Sequence, residues 1–137
     1  MNKSVLVIGG GITGIASALE LANSGFGVYL VEREVAIGGQ VASFCCKATE
    51  VCTKCSVCLL PQKLNDVAIH SQISILTDSM VGGLSGEVGD FKVEVLRKPQ
   101  YISPERCIAC GVCAEACPAE PKAICPPPPE AIPYAIV

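Results

Sequence analysis

Three glycines, Gly9, Gly11 and Gly14, stand between an apolar run and a stretch of helical periodicity, and no other feature narrows the fold as much. Ser4 to Ile8 is a short β-prone run, after which Ile12, Ile15, Ala16, Leu19 and Ala22 recur at helical spacing. Asn23-Ser24-Gly25 supplies a helix stop, and Val28 to Val31 reads as a second buried strand that ends at Glu32. The expected unit is β-α-β with a G-x-G-x-x-G turn. In that setting the first glycine permits the turn, the second lets backbone approach a pyrophosphate, and the third packs helix on strand. Glu32, about 20 residues past the glycines, stands where a carboxylate accepts hydrogen bonds from a ribose hydroxyl, while phosphate charge belongs at the helix N-terminus. A glycine-rich turn without a ligand is the plainer alternative, and the flanking strand and helix argue against it.

Gly38-Gly39 follows the acidic residue and resembles the second glycine pair of two-dinucleotide-binding flavoproteins, which favours FAD over NAD. NADP ranks last. Arg33 could meet a 2′-phosphate, but Glu32 would repel one. Farther on, Leu64, Val67 and Ala68 predict a short helix from Pro61 to about His70, with the proline in its first turn. His70 is the single histidine, and its helix-terminal position near the backbone dipole outweighs a catalytic role. Ile73 to Leu76 reads as a strand. Val81 to Glu87 and Phe91 to Leu96, joined across Gly89-Asp90, read as a hairpin in which Phe91, Val93 and Val95 alternate with Lys92 and Glu94.

The second constraint is cysteine, of which the chain carries ten. Cys107, Cys110 and Cys113 fall at intervals of three, Cys117 follows four later, and Pro118 comes next, which is the spacing of the bacterial ferredoxin run. A cubane cluster needs thiolates converging from a chain that wraps it, and the small residues Ala109, Gly111 and Ala114 suit such a wrap. Zinc is second choice, because zinc sites pair two Cys-x-x-Cys knuckles at a distance rather than run four cysteines together. A further group crowds residues 41–60, with Cys52-x-x-Cys55-x-x-Cys58 at its centre and Cys46 or Cys45 upstream as a fourth thiol. An iron–sulfur cluster is the first expectation there too, ahead of zinc or a thiol pair. Cys125 lies alone in a proline tract, where a substitute ligand is the less common case.

Cysteines two residues apart are poorly placed to bridge one another, so a reducing cytoplasm is expected rather than a secreted disulfide scaffold. Lys3 and the uncharged stretch to Leu19 superficially resemble an export signal, but three glycines interrupt it, and no stretch is long enough to span a bilayer. A net charge of −3 with no basic run argues against a nucleic-acid partner. Half of the residues are hydrophobic and 17% are charged, an excess that predicts a face covered by other subunits. The chain divides into an incomplete Rossmann-type FAD-binding portion at 1–99 and a ferredoxin-like segment with a proline-rich tail at 100–137. Pro126 to Pro129 and Pro133 exclude helix and central strand there, so an extended covering or docking arm is expected.

Taken together, the residues resemble the A subunit of heterodisulfide reductase and its relatives in anaerobic archaea and bacteria. The likeness runs through Val5–Ile12, Val28–Arg33, Cys55–Leu60, His70–Thr77, Gly89–Val95, Lys98–Tyr101, the ferredoxin run and Lys122–Ile124. It implies an α/β fold, an FAD site on Gly9, Gly11, Gly14 and Glu32 completed by later parts of a longer flavin domain, and one or two [4Fe-4S] clusters within this sequence. It also implies an oxidoreductase subunit that transfers electrons inside a complex and is inactive alone. Departures from the family pattern are Cys125, where relatives carry an aromatic residue, a shortened segment between Cys117 and Lys122, and extra cysteines at 45, 46 and 52 that only some branches share. In two-cluster ferredoxins the fourth cysteine serves the other cluster, so Cys117 stays open between the two sets. No residue is singled out as acid, base or nucleophile; the flavin performs two-electron chemistry and the clusters pass single electrons. The rival from another class is a non-catalytic assembly module with a degenerate nucleotide fold stapled by metal sites.

Overall fold

A computed structural model describes residues 3–44, 46, 50–52, 54–98, 102, 106, 108, 110–118 and 130–135. The expectations for Cys45, Cys107 and Cys125 lie outside the described residues. The elements in order are β1 (Ser4–Ile8), α1 (Ile12–Asn23), β2 (Gly27–Val31), α2 (Leu60–Ile69), β3 (Ile73–Leu76), β4 (Ser79–Glu87), β5 (Asp90–Arg97), α3 (Val112–Ala116) and β6 (Glu130–Ala135), with 3₁₀ turns at Gly39–Ser43 and Val57–Leu59.

β1, β2 and β3 form a parallel sheet with β2 in the middle, Ser4 opposite Gly27 and Val28 opposite Ile73. Parallel strands need a crossover between them, and α1 and α2 provide the two crossovers. Successive side chains of a strand point to opposite faces, which explains why β2 is apolar at nearly every position. Val28 and Leu30 pack against Ile15, Ala18, Leu19 and Ala22 of α1 and Leu60 and Val67 of α2. Tyr29 and Val31 turn the other way, onto Leu76, Val93 and Val95. The sheet is thus covered on one face by two helices and on the other by the β4–β5 hairpin. Each fully buried aliphatic side chain in these layers stabilises the fold by about 1.5–3 kcal/mol.

The second sheet is antiparallel, in the order β4-β5-β6. The hairpin reverses at Val88-Gly89, where Gly89 adopts φ +95°, and Val93 and Val95 are buried as the alternation requires, while Phe91 keeps 41% of its surface exposed. β6 pairs with β5 and sets Pro133 opposite Glu94. A proline cannot donate to a ladder, and the outer strand of a sheet is where that loss costs least. The extended form of the proline-rich tail is therefore used, over Glu130–Ala135, as an edge strand. One element had no signal: the five-residue α3 inside the ferredoxin run, which starts after Gly111 at φ +79°.

Leu30 is fully buried and Leu84 is 66% exposed. Leu30→Ala should therefore destabilise the chain by about 2–5 kcal/mol, while Leu84→Ala should stay within about 0.5 kcal/mol of the parent. Urea unfolding followed by circular dichroism gives both values, and equal losses would show that the core lies elsewhere.

Candidate functional site

The turn between β1 and α1 is built almost wholly of backbone. Gly9 takes φ +98° and donates its N–H to the Val31 carbonyl at 2.8 Å, which holds the end of β1 against β2. Gly11 precedes α1, and a Cβ built on it meets nothing within 4 Å. Gly14 is the opposite case, since a Cβ there would run into the Gly9 carbonyl oxygen, so only glycine lets α1 approach the turn this closely. No side-chain oxygen caps α1, and its first turn holds no acidic residue. The N–H groups of that first turn are left for an incoming anion, and the helix dipole favours negative charge there.

The second glycine pair lies directly on the first. Gly38 donates its N–H to the Gly10 carbonyl at 2.7 Å and forms a parallel bridge with Gly11. A Cβ on Gly39 would stand 3.1 Å from the Gly11 Cα, tighter than ordinary packing allows. Gly38 and Gly39 sit at φ +121° and +57°, so conformation and crowding both call for glycine.

Glu32 is 8% exposed, and its carboxylate is held by two backbone donors: Gly10 N–H to Oε2 at 2.6 Å and Glu34 N–H to Oε1 at 2.9 Å. Its own N–H donates to the Leu76 carbonyl and its carbonyl accepts from Ser79 N–H. Each carboxylate oxygen keeps the capacity to accept a second donor, the role a sugar hydroxyl would fill. The bracing of Gly10 could not be read from spacing alone. A cleft of about 470 Å³ opens here, lined by Ile8, Gly9, Glu32, Gly39, Gln40 and Met80 among others. The contribution of β4 to this wall also lacked a sequence signal, because it depends on how the hairpin folds back. All six residues expected at the dinucleotide site, Gly9, Gly11, Gly14, Glu32, Gly38 and Gly39, are gathered around one turn.

The thiols behave differently. Cys46, Cys52, Cys55 and Cys58 are exposed, as are Cys110 and Cys113, and Cys117 is half-buried. Among the described residues no three His, Cys, Asp or Glu side chains come together in a group that could hold a metal. The local backbone between Cys52 and Cys58 is nonetheless shaped. Lys54 N–H donates to Cys52 Sγ at 3.3 Å, and Lys54 and Ser56 both take left-handed conformations, φ +56° and +62°. His70 terminates α2, and its Nδ1 accepts from Gln72 N–H at 3.2 Å, a capping role away from the cleft.

The chain is similar to known proteins. The family described as FAD dependent oxidoreductase matches residues 4–74, and the 4Fe-4S binding domain family matches residues 101–121. The second form of the iron-sulfur A subunit of CoB–CoM heterodisulfide reductase in Methanopyrus kandleri is 42% identical over 144 residues, covering 97% of this chain and 22% of that protein. The corresponding A subunit of the H2:CoB-CoM heterodisulfide, ferredoxin reductase of Methanothermobacter marburgensis is 41% identical over 120 residues, 88% of this chain and 18% of its own length. The chain thus spans about a fifth of these relatives. Among solved structures, L-proline dehydrogenase from P. horikoshii matches at 28% identity and a TM-score of 0.47, over 69% of this chain and 20% of that one. The open approach at Gly11, the uncapped first turn of α1 and the braced carboxylate of Glu32 fit the dinucleotide end of FAD.

Two single-methyl substitutions separate packing from binding. Gly11→Ala adds its Cβ in open space at φ −73°, so stability should move by less than about 0.5 kcal/mol while dinucleotide affinity falls. Gly14→Ala drives a methyl into Gly9 and should cost about 1–3 kcal/mol. Thermal melts of the two variants, paired with FAD titrations, check the assignment; a stable Gly14→Ala would refute it.

Proposed function

This chain belongs to the FAD dependent oxidoreductase family, and we propose that it is the flavin- and iron–sulfur-bearing portion of a heterodisulfide-reductase-like electron-transfer complex. The observation that carries the proposal is the doubled glycine turn closed around Glu32, in a chain that also carries eight cysteines at cluster spacing, four in 46–58 and four in 107–117. Bound FAD supplies the conversion between electron pairs and single electrons. The chain's own residues supply position. Gly9 makes the turn, Gly11 lets the pyrophosphate approach the backbone N–H groups of the first turn of α1, Gly14 brings α1 close to that turn, Gly38 and Gly39 pack on it, and Glu32 receives the ribose hydroxyls.

Cys46, Cys52, Cys55 and Cys58 form the ligand set of one cluster in this proposal, and Cys107, Cys110, Cys113 and Cys117 that of another. The division into 1–99 for the flavin portion and 100–137 for the cluster segment follows from the same assignment. The partners are the remaining flavin-domain sequence and other redox subunits, in a reducing cytoplasm. Among the described residues no helix is long and apolar enough to cross a membrane. No residue of the chain is assigned as acid, base or nucleophile; its work in this reading is binding, orientation and control of polarity around the carriers.

Anaerobic purification of the complex that contains this chain, with iron, acid-labile sulfide and flavin analysis, is the direct test; zinc without iron, or iron without flavin, would overturn it. Cys110→Ala should remove one cluster signal in electron paramagnetic resonance and leave the one from Cys46–Cys58. Loss of both signals in a folded variant would mean that the two groups share a cluster. The isolated chain should bind FAD weakly, because its cleft offers contacts to the ADP part of the cofactor alone and contacts in a wet site keep their competition with water. Tight stoichiometric binding with quenched flavin fluorescence and no partner would contradict that.

A further inference from the structure

A hydrogen-bonded path runs from the carboxylate of Glu32 to the point where the chain leaves β5. Glu34 donates its N–H to Glu32 Oε1 at 2.9 Å, the Glu34 carbonyl accepts the Asp78 N–H at 3.0 Å, and the Asp78 carbonyl accepts the Lys98 N–H at 2.7 Å. These bonds in series connect the cleft with Lys98, the residue that follows the end of β5 at Arg97. A further bond runs alongside, since Ser79 N–H donates to the Glu32 carbonyl at 2.9 Å. Asp78 is the middle of the path: its donor serves the cleft side and its acceptor serves the exit side.

Asp78 bridges the two sides from the left-handed region, at φ +50°, which is uncommon outside glycine and persists only where the surroundings hold it. Here they do. Ser79 is buried, and its hydroxyl donates to the Thr77 carbonyl at 2.7 Å, which closes the turn around Asp78. Glu34 and Ser79 both line the cleft of about 470 Å³. Aspartate and asparagine enter this conformation more readily than other residues with a side chain, and β-branched residues resist it. We propose that Asp78 is a positioning residue for electron transfer: its left-handed turn holds the carboxylate of Glu32 and the chain departing from β5 in one fixed relation, so that the dinucleotide and the segment 100–137 are set relative to each other. The proposal rests on the flavin and cluster assignment above. Hydrogen bonds in series reinforce one another, and a ribose that fixes Glu32 also orders the path that ends at Lys98. Asp78 touches no reacting atom; what it supplies is position, the part of cofactor chemistry that belongs to the protein.

The test uses the complex isolated anaerobically through this chain, with substitutions at Asp78 and Lys98. Valine resists the left-handed region, whereas asparagine and glycine accept it. In Asp78→Val the Lys98 and Ser79 amides should exchange hydrogen about tenfold faster, with exchange in α1 unchanged. FAD should bind about tenfold more weakly, and electrons should pass between flavin and clusters about tenfold more slowly. Asp78→Asn and Asp78→Gly should stay within about twofold of the parent in all three measurements. Lys98→Pro removes only the last donor of the path, so it should slow electron passage by about tenfold while FAD affinity stays within about twofold. Lys98→Ala keeps that N–H and should match the parent. Fast exchange at Lys98 in Asp78→Val with unchanged FAD affinity and electron passage would overturn the proposal. So would an Asp78→Asn complex that fails as the valine one does, because the carboxylate rather than the turn would then matter. Where Asp78→Val does not assemble, Lys98→Pro with full electron passage overturns it. Flavin analysis separates the proposal from the reading beneath it: a parent complex without flavin removes both, and a flavin-bearing parent matched by its valine variant removes the positioning role alone.

Discussion

A carboxylate taken out of water must find donors, and the way Glu32 finds them holds this structure together. Its two oxygens take the N–H groups of Gly10 and Glu34, and its backbone joins Leu76 at the end of β3 to Ser79 at the start of β4. One residue therefore ties the phosphate turn, the parallel sheet and the hairpin at a single point. The arrangement also sorts charge: the side chain engages the amide of Gly10 and leaves those of the first turn of α1 for an anion. Had the carboxylate capped that turn instead, it would have competed with phosphate for the same donors.

The features that were legible in the sequence are those whose cause is local. Ser4–Ile8, α1 and Ile73–Leu76 follow from period and punctuation, and the turn glycines follow from conformations that other residues avoid. Gly38-Gly39 was visible as a pair, but its seat on Gly10 and Gly11 depends on contacts between positions nearly thirty apart. Lys54 and Ser56 gave no sign of left-handed backbone, because neither residue type prefers it. β6 was hidden behind prolines that exclude a central strand and leave an outer one allowed.

The cysteine-rich excursion between β2 and α2 is long for a connection, and its two feet are fixed in the same core. Ile37 and Val41 pack where it leaves, Leu60 and Leu64 where it returns. The cost of closing a loop grows slowly with its length, so a stretch of this size is carried cheaply once its ends are anchored. A metal drawn in by its thiols would cross-link the excursion and, through Gly38 and Gly39, stiffen the turn on which the dinucleotide rests.

The two sheets end in edges of different character. β6 carries Pro133, which has no N–H to donate, and proline in an edge strand is one of the ways such edges are blunted. β1 reads Ser-Val-Leu-Val-Ile, without proline, glycine or charge. An apolar edge strand of this kind can pair with the wrong neighbour while the chain folds. Concentration during folding therefore bears on the yield of this protein, because pairing between chains grows with it while folding within one chain does not.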